Sequence, residues 1–167
     1  MDRNSSTAPS PSCQGEQALT RNGLPVHASI VLDTNVVLDW LLFRDPSSLP
    51  LAAAIGVRRV NWIATPAMRD EFADVLARGL AARRNAPPAG LLAAWDAQVT
   101  VVARAPRLPV SIALQCTDPD DQMFIELAHA ARARWLLSRD RALLRLARKA
   151  SAFGISITTP ERWTAPP

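Results

Sequence analysis

The sequence predicts an α/β domain: a five-stranded parallel sheet flanked by helices on both faces. Three observations carry that expectation. Short apolar, β-branched runs alternate with helical stretches along the chain, the pattern of a parallel sheet whose connections are helices. The first run, Ala28-Ser29-Ile30-Val31-Leu32, is apolar almost throughout, as expected for a strand buried on both faces. Acidic residues recur where strands end and helices begin, the edge at which open parallel sheets place their chemistry.

Residues 1–27 are rich in Ser, Pro, Asn, Gln and Gly with little apolar content, the composition of a disordered tail. The domain is expected over 28–164. Asp33-Thr34-Asn35 ends the first strand, and a helix follows over 36–43. A second helix is expected over 49–57 and a second strand over 60–64. Pro66 suits a helix start, where its missing N–H costs nothing. That helix runs over 66–80 and stops near Gly79 and the pair Arg83-Arg84. Pro87-Pro88 precedes a helix over 89–97, and a third strand covers 99–102. A loop marked by Pro106 and Pro109 follows. A helix over 119–132 leads to a strand at 135–137, and a helix over 141–149 leads to the last strand, 155–158. There is no internal repeat.

Composition narrows the function less than pattern does. The 167 residues fit one domain plus a tail. No stretch approaches the roughly 18 uninterrupted apolar residues of a membrane span. The first 27 residues lack the apolar middle of a secretory signal, so a cytoplasmic protein is expected. Cys13 and Cys116 are the two cysteines, a pair that suits a reducing compartment better than a disulfide framework. The net charge is +4, with eighteen arginines against the single lysine Lys149. A basic balance favours a polyanionic partner, and arginine's planar fork suits phosphate. A GC-rich genome produces the same bias, so composition admits nucleic acid without requiring it.

The acidic residues are more specific. Asp33 closes the first strand, Glu71 lies early in the helix after the second, and Asp118, Asp120 and Asp121 open the helix before the fourth. Asp140 follows the fourth strand. In the helix after Pro66, Met68, Phe72, Val75, Leu76 and Gly79 share one arc. At ~100° per residue, Glu71 lies about 40° outside that arc, whereas Asp70 and Asp74 lie ~140° and ~100° away and should be solvated. In the later helix, Asp121 falls inside the arc of Phe124, Ile125, Leu127, Ala128 and Ala131. A carboxylate facing a buried side is costly without a compensating cation or donors, so Glu71 and Asp121 demand an explanation.

Each remaining acid has a local alternative. Asp118 before Pro119 makes a good helix N-cap with Asp121 as its capping partner. Asp140 could cap the helix that it precedes, and Asp33 could serve only the turn after its strand. All of these holding together would still leave Glu71 and Asp121 unexplained. Four carboxylates on one rim suit hard divalent cations such as Mg²⁺ or Mn²⁺, and two such ions could clamp a phosphodiester. Zinc fits poorly, because His27, His129 and two lone cysteines offer no ligand spacing. Neither a phosphate-binding GxxxxGK[ST] loop nor a GxSxG nucleophile elbow is present. An aspartyl phosphatase would want an acid where Asn35 stands.

In order along the chain stand Ile30-Val31-Leu32-Asp33-Thr34-Asn35, then Thr65-Pro66 leading to Glu71, then Asp118-Pro119-Asp120-Asp121 ahead of Leu127-Ala128. They are followed by Leu136-Leu137-Ser138-Arg139-Asp140 and a closing Gly154-Ile155-Ser156-Ile157-Thr158-Thr159-Pro160-Glu161. This set resembles the PIN-domain family, in particular its toxin-like branch from bacterial toxin–antitoxin systems. The resemblance implies a three-layer sandwich and a Mg²⁺- or Mn²⁺-dependent endoribonuclease that leaves a 5′-phosphate and a 3′-hydroxyl. It implies Asp33, Glu71, Asp121 and Asp140 as catalytic acids, with Asp33, Asp140 and either Asp121 or Asp118 on the metal. Asn35 and Ser138 match supporting polar positions. It also implies a small antitoxin partner and a homodimer.

The RNA path is weakly marked. Arg141, Arg145 and Arg148 fall on one helical face with Arg134 and Arg139 nearby, either a phosphate-contacting stripe or a solvated face, and the solvated face is the simpler reading. Arg44, Arg83 and Arg84 are equally ambiguous. Tryptophans can stack on unpaired bases, yet Trp62 and Trp135 sit in expected strands and belong to the core. Trp40 is open between packing on the first helix and forming a partner groove. Competing functions are a non-catalytic nucleic-acid- or protein-binding module and a housekeeping RNA-processing nuclease. A receiver domain would want an acidic pair after Leu32 and ranks lower.

Overall fold

The computed structural model describes residues 28–102 and 114–167. The expected tail, with Cys13, and the loop carrying Pro106 and Pro109 lie outside the described residues. Five strands, Ala28–Leu32 (β1), Val60–Ala64 (β2), Thr100–Val101 (β3), Trp135–Leu137 (β4) and Ser156–Thr158 (β5), form one sheet in the order β3-β2-β1-β4-β5. Every pairing is parallel. β3 is shorter than its apolar run, although the Val102 N–H still reaches the Ala64 carbonyl at 2.9 Å.

That order sets the position of the site. The chain moves outward from β1 to β3, then crosses back to build β4 and β5 on the other side of β1. With right-handed crossovers, the helices of the first half cover one face and those of the second half cover the other. The order reverses between β1 and β4, and an open α/β sheet has its crevice outside the carboxyl ends of its strands at such a point. Register pairs Leu32 with Leu137, so Asp33 and Ser138 emerge side by side there. The Asp33 N–H bonds the Leu137 carbonyl at 3.0 Å, and the Ser138 N–H bonds that of Thr158 at 3.1 Å.

The helices follow the apolar pattern, with local changes. Asp33 caps Thr34–Leu38 (α1), which widens into a π-turn over Asp39–Phe43. Leu49–Gly56 (α2) packs on β2. Thr65 caps Pro66–Val75 (α3) with Pro66 in its first turn; the chain continues as a π-turn over Leu76–Leu80 and breaks at Gly79, whose φ is 89°. Pro88–Gln98 (α4) follows. The helix expected from 119 begins instead at Gln122, as Gln122–Ala130 (α5). The Asp118 carboxylate accepts the Asp120 N–H at 3.0 Å and the Gln122 N–H bonds the Pro119 carbonyl at 3.2 Å, which shapes residues 118–121 as a turn. Ala131, placed on the buried arc by periodicity, is exposed because the helix has already ended. The helix expected over 141–149 divides into Arg141–Arg145 (α6) and Ala147–Ser151 (α7). A tight bond from the Leu146 N–H to the Leu143 carbonyl, 2.9 Å, marks the break.

Met68, Phe72 and Leu76 on α3 are buried, as are Phe124, Ile125, Leu127 and Ala128 on α5, most of the two arcs read from spacing; Val75 and Gly79 are only half-buried. Asp70 and Asp74 are solvent-exposed. Trp62 and Trp135 are core residues, as expected. Trp62 lies between Trp40 and Trp95, with ring centroids 5.6 Å and 5.4 Å away. Trp40 is half-buried against this cluster.

Candidate active site at the sheet switch point

The carboxyl edge of the sheet is held by side chains reaching across the switch point. Asp33 is 2% exposed. Its carboxylate accepts the Ser138 hydroxyl at 2.6 Å and the Asn35 N–H at 3.4 Å. Ser138 is fully buried, and its Oγ also accepts the Asp140 N–H at 2.8 Å. One hydroxyl thus ties the carboxylate after β1 to the backbone after β4. Burial raises the Asp33 pKa and the Asp140 charge adds to the rise, while the bonds from Ser138 and Asn35 oppose it. Asp140 also caps α6 by accepting the Ala142 N–H. Its cap role is therefore real and coexists with its place on the rim.

Glu71 and Asp121 face this same rim. Glu71 is half-buried, and its Oε2 is shielded from solvent with no hydrogen-bond partner. Burial raises its pKa; the Thr34 hydroxyl opposes the rise and the Asp33 charge reinforces it. Asp121 is the most perturbed acid: burial, and then the charges of Asp33, Asp140, Asp118 and Glu71, push it up to about 7. It stands at the start of α5 rather than inside the helix, and makes no side-chain capping bond. Four carboxylates from separate parts of the chain thus act on one group. Among the described residues, no three His, Cys, Asp or Glu side chains are gathered closely enough to enclose a metal ion.

A match to the PIN-domain family model spans residues 29–142. The chain belongs to the PIN-domain family. PIN domains are generally nucleases that use divalent metals. Among solved structures, the PIN fold here matches a chain of VapBC2 from Rickettsia felis bound to a DNA fragment from their promoter. The TM-score is 0.57 at 10% identity, over 77% of this chain and 96% of that one. No curated protein matches the sequence.

Around the PIN carboxylate rim lie groups that periodicity did not rank. An open cleft of about 440 Å³ beside the rim is lined by Thr117, Asp118, Asp140, Arg141 and Arg145. Asp118 is exposed there. Arg148 is exposed too but lies outside the cleft lining, so the three-arginine stripe is divided. Arg139, grouped with that stripe by sequence, points elsewhere. It donates to the Asp39 and Glu161 carboxylates and, at 3.0 Å, to the Ser47 hydroxyl. Asp45 stands 3.8 Å away. Spacing did not reveal this hub, because its partners lie as far as 100 residues away in sequence. Gln122 is a second unforeseen anchor: its amide accepts the Cys116 N–H at 2.7 Å and donates to the Leu114 carbonyl at 3.2 Å. The free Cys116 thiol is half-buried, and burial pushes its pKa up.

Proposed function

We propose that this PIN domain is a Mg²⁺- or Mn²⁺-dependent endoribonuclease with Asp33, Glu71, Asp121 and Asp140 as its catalytic carboxylates. The observation that carries the reading is the gathering of Asp33, Glu71, Asp121 and Asp140 at the switch point, where Ser138 ties Asp33 to the Asp140 turn and burial with the neighbouring charges raises the Asp121 pKa to about 7. A cluster of like charges with perturbed pKa values in a crevice is a functional-site signature. The buried, unpartnered Oε2 of Glu71 is a second such mark, because an orphaned buried oxygen costs stability unless something binds it.

The donor set fits a hard divalent ion, being all carboxylate oxygen. Such an ion needs no closed cage of side chains, since Mg²⁺ usually keeps several waters and takes only one or two carboxylates together with substrate phosphates. Asp33 and Asp140 would hold the principal ion, with Asp121 or Asp118 beside them. When bound, the ion supplies charge neutralisation and a more acidic water. The chain's own residues do the rest. Ser138 fixes the Asp33 carboxylate by its 2.6 Å bond and the start of α6 through the Asp140 N–H. Asn35 supports Asp33 from the backbone. Asp121, with a pKa of about 7, can hold or release a proton at its carboxylate under neutral conditions. Arg141 and Arg145 in the adjoining cleft offer guanidinium groups to flanking phosphates.

We further propose a cytoplasmic protein silenced by a small antitoxin and able to form a homodimer. The supports are the sequence motifs and the fold's likeness to the Rickettsia felis VapBC2 structure. Among the described residues no helix is long and apolar enough to cross a membrane. The test is cleavage of a mixed structured-RNA pool by purified protein with Mg²⁺, Mn²⁺ or EDTA, beside Asp33→Asn. Metal-dependent cutting that the variant loses supports the proposal. An Asp33→Asn protein that cuts at the wild-type rate refutes the site.

A further inference from the structure

At the opposite edge of the sheet, three helices end in the same way. The Arg58 N–H bonds the Ile55 carbonyl at 2.9 Å and the Arg59 N–H bonds that of Ala54 at 2.8 Å. The Arg132 N–H bonds His129 at 3.1 Å and the Ala133 N–H bonds Ala128 at 2.8 Å. The Gly154 N–H bonds Ser151 at 3.0 Å and the Ile155 N–H bonds Ala150 at 3.2 Å. These are Schellman endings of α2, α5 and α7, and each needs one residue in the left-handed region. At α7 that residue is Gly154, with φ 76°. At α2 and α5 it is Arg58 and Arg132, with φ 55° and 50°. Arginine there carries a Cβ penalty that glycine avoids. Two of the three equivalent positions therefore hold a residue that the backbone disfavours, and both residues are basic and exposed.

Arg59 and Arg134 extend the same edge. Arg59 precedes Val60, the partner of Ala28, and the Arg134 N–H bonds the Ser29 carbonyl at 2.9 Å. Both side chains are exposed, and Arg134 lies over the Trp135 ring at 4.7 Å. β2 and β4 flank β1, so the strands that the two pairs lead into lie two strand spacings, ~10 Å, apart. Among the described residues none of the four forms an ion pair. The turns that carry them, residues 56–60 and 131–135, contain no acid, and neither does 151–155. Val57 and Phe153, 70% and 45% exposed, share the edge. It lies about the length of β1, ~16 Å, from the carboxylate rim.

We propose that Arg58, Arg59, Arg132 and Arg134 form a second RNA-binding surface, which grips the phosphate backbone of a single-stranded stretch remote from the cleaved bond. Charge complementarity names the partner: four exposed guanidinium groups, without an ion pair among the described residues, suit phosphates. The ribonuclease reading enters only in choosing RNA as the polyanion. The competing account is that these arginines merely complement the carbonyl ends of their helices.

The test binds a fluorescein-labelled 20-nucleotide single-stranded RNA to the full chain in EDTA, with anisotropy read between 50 and 200 mM salt. Arg58→Gly/Arg132→Gly relieves the backbone penalty, so its Tm should hold or rise while affinity falls. The slope of log affinity against log salt should shrink by about 1.4, the loss of two single-strand phosphate contacts. Arg59→Ala/Arg134→Ala should remove a similar amount. A slope that both variants leave unchanged, or no wild-type binding at 50 mM salt, overturns the proposal. A lowered Tm with unaltered affinity overturns it in favour of the helix-end role. Metal-dependent cleavage of a short oligonucleotide reads the carboxylate rim separately, so failure of the nuclease reading is distinguishable from failure of this one.

Discussion

If Asp121 titrates at about 7 in the metal-free protein, divalent binding must expel its proton. At that pKa the group is about 90% protonated at pH 6, about half at pH 7 and about 10% at pH 8, so binding should release those fractions of a proton. Below pH 7 the affinity should fall about tenfold per pH unit, or ~1.4 kcal/mol. The assay is calorimetric titration of Mn²⁺ into RNA-free protein, in buffers of different ionisation enthalpy at each pH. Asp121→Asn should abolish the pH-dependent release, because the amide carries no proton to expel. The stability of the metal-free fold should move with the same group. Its pKa is raised above the unfolded value of 3.8. That contribution is complete below about pH 4 and is lost as pH rises through about 7. The carboxyl is only half-buried, so solvent screening keeps the loss well short of the full shift. Saturable Mn²⁺ binding at pH 6 with no proton released would refute both the pKa assignment and the role built on it.

Ser138→Ala should destabilise the fold by about 1–3 kcal/mol in urea unfolding, since it leaves the buried Asp33 carboxylate without its 2.6 Å donor. Ser138→Thr should retain most of that stability and the cleavage. Asp33→Asn should abolish cleavage while far-UV circular dichroism remains native, because the side chain keeps its size. Arg139→Ala should cost about 1 kcal/mol at low ionic strength and less in high salt, as its partners Asp39 and Glu161 lie on a partly solvated network; thermal melts at two salt concentrations check this. Trp62→Ala should cost about 3–5 kcal/mol, the range for emptying a large buried aromatic site, measured by the same unfolding assay.

The division between what the sequence discloses and what it withholds follows from the range of the interactions. Strand positions were legible because burial on both faces forces continuous apolar runs, and β2 and β4 match theirs residue for residue. Glu71 stood out because a 3.6-residue period separates it from Asp70 and Asp74, and the structure leaves those two in solvent. The start of α5 was misplaced because Asp118 can cap either a helix or a turn with the same carboxylate. The bond to the Asp120 N–H shows the turn, and it lifts Asp121 out of the helical arc without removing it from the rim. Arg139 was illegible for a different reason. Its neighbours Ser138 and Asp140 turn to the crevice, whereas Arg139, between them just past the end of β4, turns to the other side. There it meets Asp39 and Glu161, whose approach depends on tertiary folding alone. The same turn thus gives two outcomes: residues 138 and 140 join the acidic centre, while residue 139 fastens that turn to the end of the chain. Loss of Arg139 should therefore loosen the rim without touching any of its carboxylates.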